Sequence, residues 1–204
     1  MPHYQKVVRF LFFVFVRDER KIYMNKNVKK LTVSAIFIAL STVLSLIPIV
    51  QMPLGGKLTP LSMLPVCLIG VMYGIKYAII PCLAYGLIQT FLGGIFGWGL
   101  SLGQLIACML LDYIVAYGCM AFSGLLRKKG VVGICVSISI AMVGRFVCHF
   151  VSGVVLWSTL DVFNNPYIYS LCYNGAYMLP EMILTIIGAV LLFKTKTLDK
   201  IKNM

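Results

Sequence analysis

The fold of this chain is indicated most clearly by RFVCHFVSGVVLW at residues 145–157 and YSLCYNGAYMLPE at residues 169–181, which a short polar break separates. Polar, charged and aromatic side chains collect in these two segments of an otherwise apolar chain. Those at residues 145, 149, 153 and 157 are four apart, so they form a slowly rotating stripe along one side of a helix. Residues 174, 177 and 181 repeat at three and four. Two helices joined by a short loop can turn these stripes toward each other, which predicts a binding pocket between them.

The composition is that of an integral membrane protein. Hydrophobic residues make up 60% of the chain, charged residues 12%, and the mean hydropathy is +0.95, outside the range of soluble domains. The 204 residues leave room for about six spans of roughly 20 residues each. The net charge of +12 does not indicate nucleic-acid binding, because the cations lie at the ends of apolar runs. We therefore predict an all-α bundle of six transmembrane helices.

The order of apolar runs gives the expected topology. We predict helices over residues 31–50, 61–73, 77–96, 100–126, 131–157 and 167–193, with the third interrupted by Pro81. Residues 51–60 form a Gly/Pro loop, which we expect to move as a flap. Basic residues lie in the N-terminal segment, at Lys76, at residues 127–129 and in the C-terminal tail, whereas the alternate loops contain only Lys57. This positive-inside bias predicts six spans with both termini in the cytoplasm.

Residues 1–23 combine a short apolar run with basic flanks. The run is too short to span a bilayer, so it is an interfacial anchor, a stunted signal-like segment, or a stretch that precedes a true start at Met24. We favour the third interpretation, because residues 25–30 resemble an ordinary cytoplasmic lead-in. The expected organisation is an extension at residues 1–23, not necessarily native, and a single integral membrane domain at residues 24–204.

Four ionisable side chains other than Cys and Tyr lie deep in the predicted spans: Asp112, Arg145, His149 and Glu181. A charged side chain at the centre of a span costs about 2.5–3.5 kcal/mol, so each needs a partner or water. One interpretation is a structural pair between Arg145 and Glu181. Asp112 and His149 differ, because Tyr113, Trp157 and Tyr169 accompany them, and an acid within an aromatic wall suits an organic cation.

The chain carries no signature of an enzyme. P-loop, H-E-x-x-H and G-x-S-x-G patterns do not occur in the sequence. The seven cysteines are scattered through apolar segments without a C-x-x-C pair, which is typical of small buried hydrophobes. We expect neither a metal nor a cofactor.

Three motifs together resemble one family, the thiamine-specific substrate-binding (S) components of bacterial energy-coupling-factor (ECF) transporters. They are Leu-Asp-Tyr at residues 111–113, R-x-x-x-H-x-x-x-G-x-x-x-W at residues 145–157 and Y-S-L-x-Y-N-G-x-Y at residues 169–177. The resemblance covers roughly residues 30–193. It implies a multi-pass protein of the bacterial cell membrane, in which six helices enclose a pocket near the extracellular side, capped by the loop after the first helix.

The resemblance also implies roles for individual residues. The acid Asp112 would face the thiazolium cation, and His149 would contact the same ring. Trp157 would stack on the aminopyrimidine. The remaining members of the implied substrate-binding set are Tyr113 and Gly153 in the wall, Tyr169 and Asn174 on the pyrimidine edge, and Arg145 at the family's basic position.

This chain departs from the family pattern at three places. An aspartate, Asp112, stands where a glutamate is usual, and Arg145 stands where a lysine is common. The loop after the first helix has no tryptophan to act as a lid; Lys57 and Leu58 stand there instead. Because of these departures, the resemblance does not identify the residues that contact the ligand at the gate.

The implied partners are thiamine, an ECF transmembrane coupling protein and two ATPase subunits. The first helix carries small residues at Ser34, Ala35 and Ala39, a pattern that permits close helix approach. By resemblance, Ala35 and Ala39 would form the docking surface, although packing within the bundle explains the pattern equally well. Three alternatives stay open: an S component for another vitamin or a thiamine precursor, a secondary transporter with Asp112 and Glu181 as a proton relay, and a structural protein without a ligand.

Overall fold

The computed structural model describes residues 26–52, 55–157, 165–195 and 201. Within these ranges the chain is a helical bundle with one small hairpin. Its helices are α1 Lys26–Ser45, α2 Met63–Tyr73, α3 Ile75–Leu92, α4 Leu102–Gly124, α5 Gly130–Leu156 and α6 Pro166–Lys194. All of these except α2 are long and apolar enough to cross a membrane. The prediction of a helical membrane protein is therefore confirmed.

The short helix α2 forms the centre of the bundle. Its 11 residues extend over about 17 Å, little more than half the thickness of a bilayer core of about 30 Å. Every residue from Met63 to Met72 is buried, and α2 packs against α1, α3, α4 and α6. A helix that is apolar on all sides is expected to be enclosed by others.

Local sequence explains where several helices begin and end. Gly74 separates α2 from α3 with a φ of 86°, a conformation that side chains with a Cβ rarely adopt. Before α6, the Asn165 side chain accepts hydrogen bonds from the backbone N–H groups of Tyr167 and Ile168, and Pro166 occupies the first turn. Ser101 and Gln104 form a reciprocal capping box at the start of α4.

Helix α4 is irregular in the region that carries its acid. Residues Met109–Val115 are π-helical and residues Cys119–Gly124 are 3-10 helical. Asp112 lies in the middle of the π-helical segment. Such segments are rare and occur frequently at functional sites.

The connection between α1 and α2 is more ordered than the expected Gly/Pro loop. Strands β1 (Val50–Gln51) and β2 (Lys57–Leu58) pair antiparallel, with Val50 opposite Leu58 and Gln51 opposite Lys57. The Gly56 N–H donates a 3.0 Å hydrogen bond to the Tyr173 hydroxyl of α6. The hairpin is thereby attached to the bundle, while its movement as a flap stays a prediction.

Two expectations about the helices are wrong. The first helix occupies residues 26–45 rather than 31–50, because the chain turns before Pro48 and enters the hairpin. Pro81 does not interrupt the third helix, which is continuous from Ile75 to Leu92. Proline removes one backbone donor from a helix, but Pro81 is buried, and neighbouring helices commonly make prolines tolerable in membrane helices.

Candidate ligand-binding site

One cavity, of about 1030 Å³ including its opening to solvent, lies in one half of the bundle. It is bounded by the end of α1, the hairpin, the start of α2, the ends of α3 and α5, the middle of α4 and the first half of α6. The basic clusters at Lys26–Lys30, Lys76, residues 127–129 and Lys194 lie at the opposite ends of these helices. The structure brings all eight predicted substrate-binding residues to the wall of this cavity: Asp112, Tyr113, Arg145, His149, Gly153, Trp157, Tyr169 and Asn174.

The carboxylate of Asp112 is held in place by α5. His149 Nδ1 lies 3.0 Å from Asp112 Oδ1, and the Ser152 hydroxyl donates a 2.5 Å hydrogen bond to Oδ2. The Cys108 thiol, one turn earlier on α4, donates to the same Oδ2 at 3.3 Å. Three donors fix the orientation of one acid that still contributes to the cavity wall.

The imidazole of His149 is bonded on one side only. Its Nδ1 faces Asp112, whereas its Nε2 is buried and has no hydrogen-bond partner among the described residues. Buried polar atoms normally have a partner. Because His149 lines the cavity, a ligand or a water molecule can supply that partner.

Arg145 and Glu181 form the second charged pair. Arg145 donates to Glu181 Oε2 at 2.9 Å, and its guanidinium lies 5.0 Å from the centre of the Tyr117 ring. Glu181 Oε1 accepts hydrogen bonds from the Thr59 hydroxyl at 2.6 Å and the Ser62 hydroxyl at 3.1 Å. This geometry matches the structural pair considered from the sequence, and it directs the Arg145 charge toward Glu181.

Asn174 is occupied within the protein. Its amide nitrogen donates to the backbone oxygens of His149 and Ser170, at 3.3 and 3.0 Å, and its oxygen accepts from the Tyr177 hydroxyl at 2.9 Å. Gly153 lies directly against Ser170, where a Cβ would overlap the serine side chain. The glycine thus permits the close approach of α5 and α6 at the cavity.

Aromatic rings line the part of the cavity near the hairpin. The rings of Trp157 and Trp98 meet edge to face with centroids 5.5 Å apart, and those of Tyr169 and Tyr173 stack at 5.7 Å. Tyr113 also lines the cavity. Flat rings on several sides leave space that suits a planar ligand.

Sequence reasoning missed several cavity residues. Trp98 lies in the turn between α3 and α4, and its ring also meets the hairpin, because a Cβ on Gly55 would come within 2.8 Å of it. The sequence feature that could have identified Trp98 is its place in a glycine-rich turn, where a large aromatic residue is unusual. Polar and aromatic cavity residues that were assigned no role from the sequence include Thr59, Ser62, Gln89, Tyr117, Ser152 and Tyr173, whereas Tyr177 and Glu181 lie on the stripe that the sequence turns toward the pocket.

Helix α1 divides its small residues between two faces. Ser34 is buried, with its hydroxyl 3.3 Å from the Tyr77 hydroxyl, whereas Ala35 and Ala39 are exposed on the outside of the bundle. Ser34 therefore does not share a face with the two alanines. The prediction for residues 1–23 lies outside the described residues.

Comparison with known proteins places this architecture in a family. Residues 31–201 match the family model described as "Thiamine transporter protein (Thia_YuaJ)". The chain is 31% identical over 186 residues to the thiamine transporter ThiT of Bacillus subtilis (strain 168), covering 84% of this chain and 93% of the relative. It also matches a solved structure of ThiT from Listeria monocytogenes with a TM-score of 0.73 and 26% identity, over 87% of this chain and 99% of that one.

These matches confirm the resemblance drawn from the three motifs and agree with the absence of an enzyme signature. They span both the hairpin and the helices that form the cavity. The chain belongs to the thiamine transporter protein family, whose members are transporters and not enzymes.

Proposed function

We propose that this protein captures thiamine from outside the cell in the cavity between α4, α5, α6 and the hairpin, as the substrate-binding subunit of an ECF transporter. The observation that carries the proposal is the oriented carboxylate of Asp112 in a cavity lined with aromatic rings. The family and the ThiT relatives support thiamine as the ligand.

The chemistry of the cavity suits thiamine in two respects. Thiamine is a permanent cation with two flat rings. A desolvated contact between a cation and an aromatic ring contributes about 2 kcal/mol or more, and a carboxylate that accepts from a charged ligand adds a stronger polar contact. Asp112 would face the thiazolium, while Trp157 and Tyr169 would contact the rings.

The basic residues support an orientation in the membrane. Lys76, residues 127–129 and Lys194 mark the ends of helices away from the cavity. The positive-inside rule places those ends in the cytoplasm, so that the cavity faces outward. In this arrangement α2, although short, connects the two sides of the membrane within the ring of the other five helices. That makes six crossings and places both termini in the cytoplasm.

A partner must supply the energy for transport, because the sequence has no nucleotide-hydrolysis motif. We propose an ECF transmembrane coupling protein with two ATPase subunits. Ala35 and Ala39 on the exposed face of α1 would form the contact, since small residues allow helices to approach closely. The bacterial cell membrane is the proposed location.

The first experiment is a thiamine titration of the purified protein, followed by tryptophan fluorescence. Trp157 and Trp98 line the cavity, and they are the two tryptophans of the chain, so binding is expected to quench the emission strongly. Riboflavin serves as the matched vitamin control. Quenching by riboflavin but not thiamine would assign the protein to another vitamin, and no response to any vitamin would contradict the proposal.

Transport is tested separately from binding. Ala35→Trp and Ala39→Trp are expected to leave thiamine binding unchanged and to abolish uptake, because a large side chain prevents close helix contact. Ile36→Trp, on the neighbouring exposed position, is the control for added bulk. Thiamine accumulation in cells that lack the ATPase module would favour a secondary transporter and contradict the proposed coupling.

A further inference from the structure

Gln89 is a polar residue of the cavity wall that belongs to neither charged pair. It lies near the end of α3, is 8% exposed and lines the cavity. Both ends of a buried amide are expected to be hydrogen bonded, because an apolar environment supplies no partner. Gln89 has a partner for one end, since its amide nitrogen donates to the Ser45 hydroxyl oxygen at 2.9 Å.

Ser45 determines which way the Gln89 amide points. A serine hydroxyl has one hydrogen, and that of Ser45 is donated to the backbone oxygen of Thr42 at 2.7 Å. Ser45 Oγ can therefore only accept from Gln89. The amide nitrogen must face α1, because the reverse orientation would set Gln89 Oε1 against an oxygen that has no hydrogen to share. The amide oxygen is thereby directed away from α1.

The amide oxygen of Gln89 is an acceptor that the cavity can reach. Gln89 Oε1 has no hydrogen-bond partner in the described part of the chain, and the protein does not enclose it completely. Because the side chain lines the cavity, the accessible part of this oxygen faces that space. A carbonyl oxygen has two lone pairs for hydrogen bonds, so Gln89 offers an oriented acceptor to a ligand that carries a donor.

The neighbours of Gln89 place this acceptor beside α4. A Cβ on Gly86 would come within 2.8 Å of the Tyr113 backbone oxygen, and a Cβ on Gly93 would overlap the Tyr113 hydroxyl. Gln89 lies three residues after Gly86 and four before Gly93, so it shares the face of α3 that packs on Tyr113. Tyr113 directly follows Asp112, the acid proposed to face the thiazolium. The acceptor therefore lies at the thiazolium end of the cavity.

Thiamine has two kinds of donor for such an acceptor. One is the amino group of the aminopyrimidine, and the other is the hydroxyl of the hydroxyethyl arm on the thiazolium ring. The proposed pyrimidine contacts are Trp157, Tyr169 and Asn174, at the side of α5 and α6. The hydroxyl belongs to the ring at Asp112, and it is the donor that fits Gln89.

We infer that Gln89 is a specificity-determining residue, whose Oε1 accepts a hydrogen bond from the hydroxyl of the thiamine hydroxyethyl arm. The inference rests on the proposed function and deepens it, because it assigns one group of the ligand to a residue outside the predicted substrate-binding set. A ligand without that hydroxyl leaves a buried acceptor unpaired, which a binding site penalises.

The test compares two ligands on matched variants. Purified wild-type protein and Gln89→Met are titrated with thiamine and with an analogue in which an ethyl group replaces the hydroxyethyl arm. Both ligands have the same cationic ring and the same aminopyrimidine. The wild type is expected to bind thiamine about tenfold more tightly than the ethyl analogue. Gln89→Met keeps an unbranched side chain without the amide, and its two Kd values should differ by less than about twofold.

Two further variants control for the position and for the orientation of the amide. Thr90 is buried next to Gln89, does not line the cavity and donates to the Gly86 backbone oxygen at 3.0 Å. Thr90→Val should therefore keep the wild-type ratio of the two Kd values. Ser45→Ala retains the acceptor and removes the group that orients it, so its ratio should lie between those of the wild type and Gln89→Met.

The outcomes separate this role from the proposed function. If the ratio of the two Kd values is the same in the wild type and in Gln89→Met, the inference is overturned. Should Gln89→Met bind neither ligand, an unchanged ratio in Ser45→Ala overturns it. It is overturned as well if Gln89→Met changes discrimination only against an analogue with an oxo group in place of the pyrimidine amino group. Failure of the wild type to bind thiamine would contradict the proposed function instead, whatever the analogues do.

Discussion

The two charged pairs of the cavity differ in how completely the protein surrounds them. Arg145 and Glu181 are 6% and 1% exposed, and the carboxylate accepts from two further hydroxyls. His149 and Asp112 are 15% and 12% exposed, and the imidazole keeps one nitrogen without a partner among the described residues. The Arg145–Glu181 pair is therefore enclosed by protein, whereas the His149–Asp112 pair is accessible from the cavity.

This difference indicates a division of roles. The enclosed pair joins α5 to α6 and ties the residues before α2 to both, because Thr59 and Ser62 bind the same carboxylate. The accessible pair joins α4 to α5 and presents an acid and a ring to the cavity. We expect changes in the first pair to reduce stability and changes in the second to reduce affinity.

The largest expected effect comes from Glu181→Ala. Removing the carboxylate leaves the Arg145 charge buried without its partner, which typically costs about 3–5 kcal/mol of stability. We expect a large fall in the melting temperature of the purified protein, measured by the loss of helical circular dichroism.

The double variant Arg145→Met/Glu181→Leu is the control for this prediction. It removes both charges and replaces them with apolar groups, which is often close to neutral. Its melting temperature should lie well above that of Glu181→Ala. Equal melting temperatures for Glu181→Ala and the wild type would show that the pair does not stabilise the fold.

The next effect is on ligand affinity, through Asp112→Asn. The variant keeps the shape and loses the charge that is proposed to face the thiazolium. Loss of one partner of a desolvated charge contact costs about 2 kcal/mol or more, equivalent to roughly 30-fold in Kd. The measurement is a thiamine titration, with the melting temperature recorded in parallel.

Asp112→Glu retains a carboxylate at that position and serves as the control for Asp112→Asn. It should bind thiamine more tightly than Asp112→Asn. Unchanged affinity in Asp112→Asn would remove this acid from the ligand contact, and the accessible pair would then be structural like the enclosed one.

Much of the fold was predictable, because apolar runs and their basic ends are local properties of the sequence. The boundaries predicted for α5 and α6 each lie within one residue of those found. The stripe at residues 145–157 was also sufficient to place Arg145, His149 and Trp157 on one wall. Helical spacing determines that arrangement for Arg145 and His149, and Trp157 directly follows the last residue of α5.

Other features depend on contacts between distant segments and were not predictable. The hairpin arises from strand pairing and from the bond between Gly56 and Tyr173. Hydrophobic periodicity did not predict the π-helical turn at Asp112. Trp98 reaches the cavity because the turn after α3 folds beside the end of α5, which hydrophobic periodicity does not reveal.

Trp98→Ala tests whether the aromatic wall of the cavity contributes to thiamine affinity. The ring contacts Trp157 and the hairpin at Gly55, so its removal opens the aromatic wall. Such ring contacts contribute about 0.5–1.5 kcal/mol beyond buried area, and we expect thiamine affinity to fall by about tenfold.

Phe96→Ala is the matched control for that variant. Phe96 lies two residues earlier in the same turn, is 58% exposed and stacks on Phe91 outside the cavity. It should bind thiamine like the wild type. If both variants lose affinity equally, the turn acts through its backbone, and Trp98 has no specific role.

The smallest expected effects come from two variants that each remove one hydroxyl donor, one from each charged pair. They give the most direct comparison of the two pairs. Ser152 donates to Asp112 at 2.5 Å, and Thr59 donates to Glu181 at 2.6 Å. A hydrogen bond to a charged group contributes about 1.5–3 kcal/mol, but the accessible carboxylate can rebond to water whereas the enclosed one cannot. We therefore expect Ser152→Ala to weaken thiamine binding by about fivefold with little change in stability.

Thr59→Ala should lower the melting temperature and leave the thiamine Kd nearly unchanged. If Ser152→Ala and Thr59→Ala both changed only the thiamine Kd, or both changed only the melting temperature, the two pairs would not differ in role.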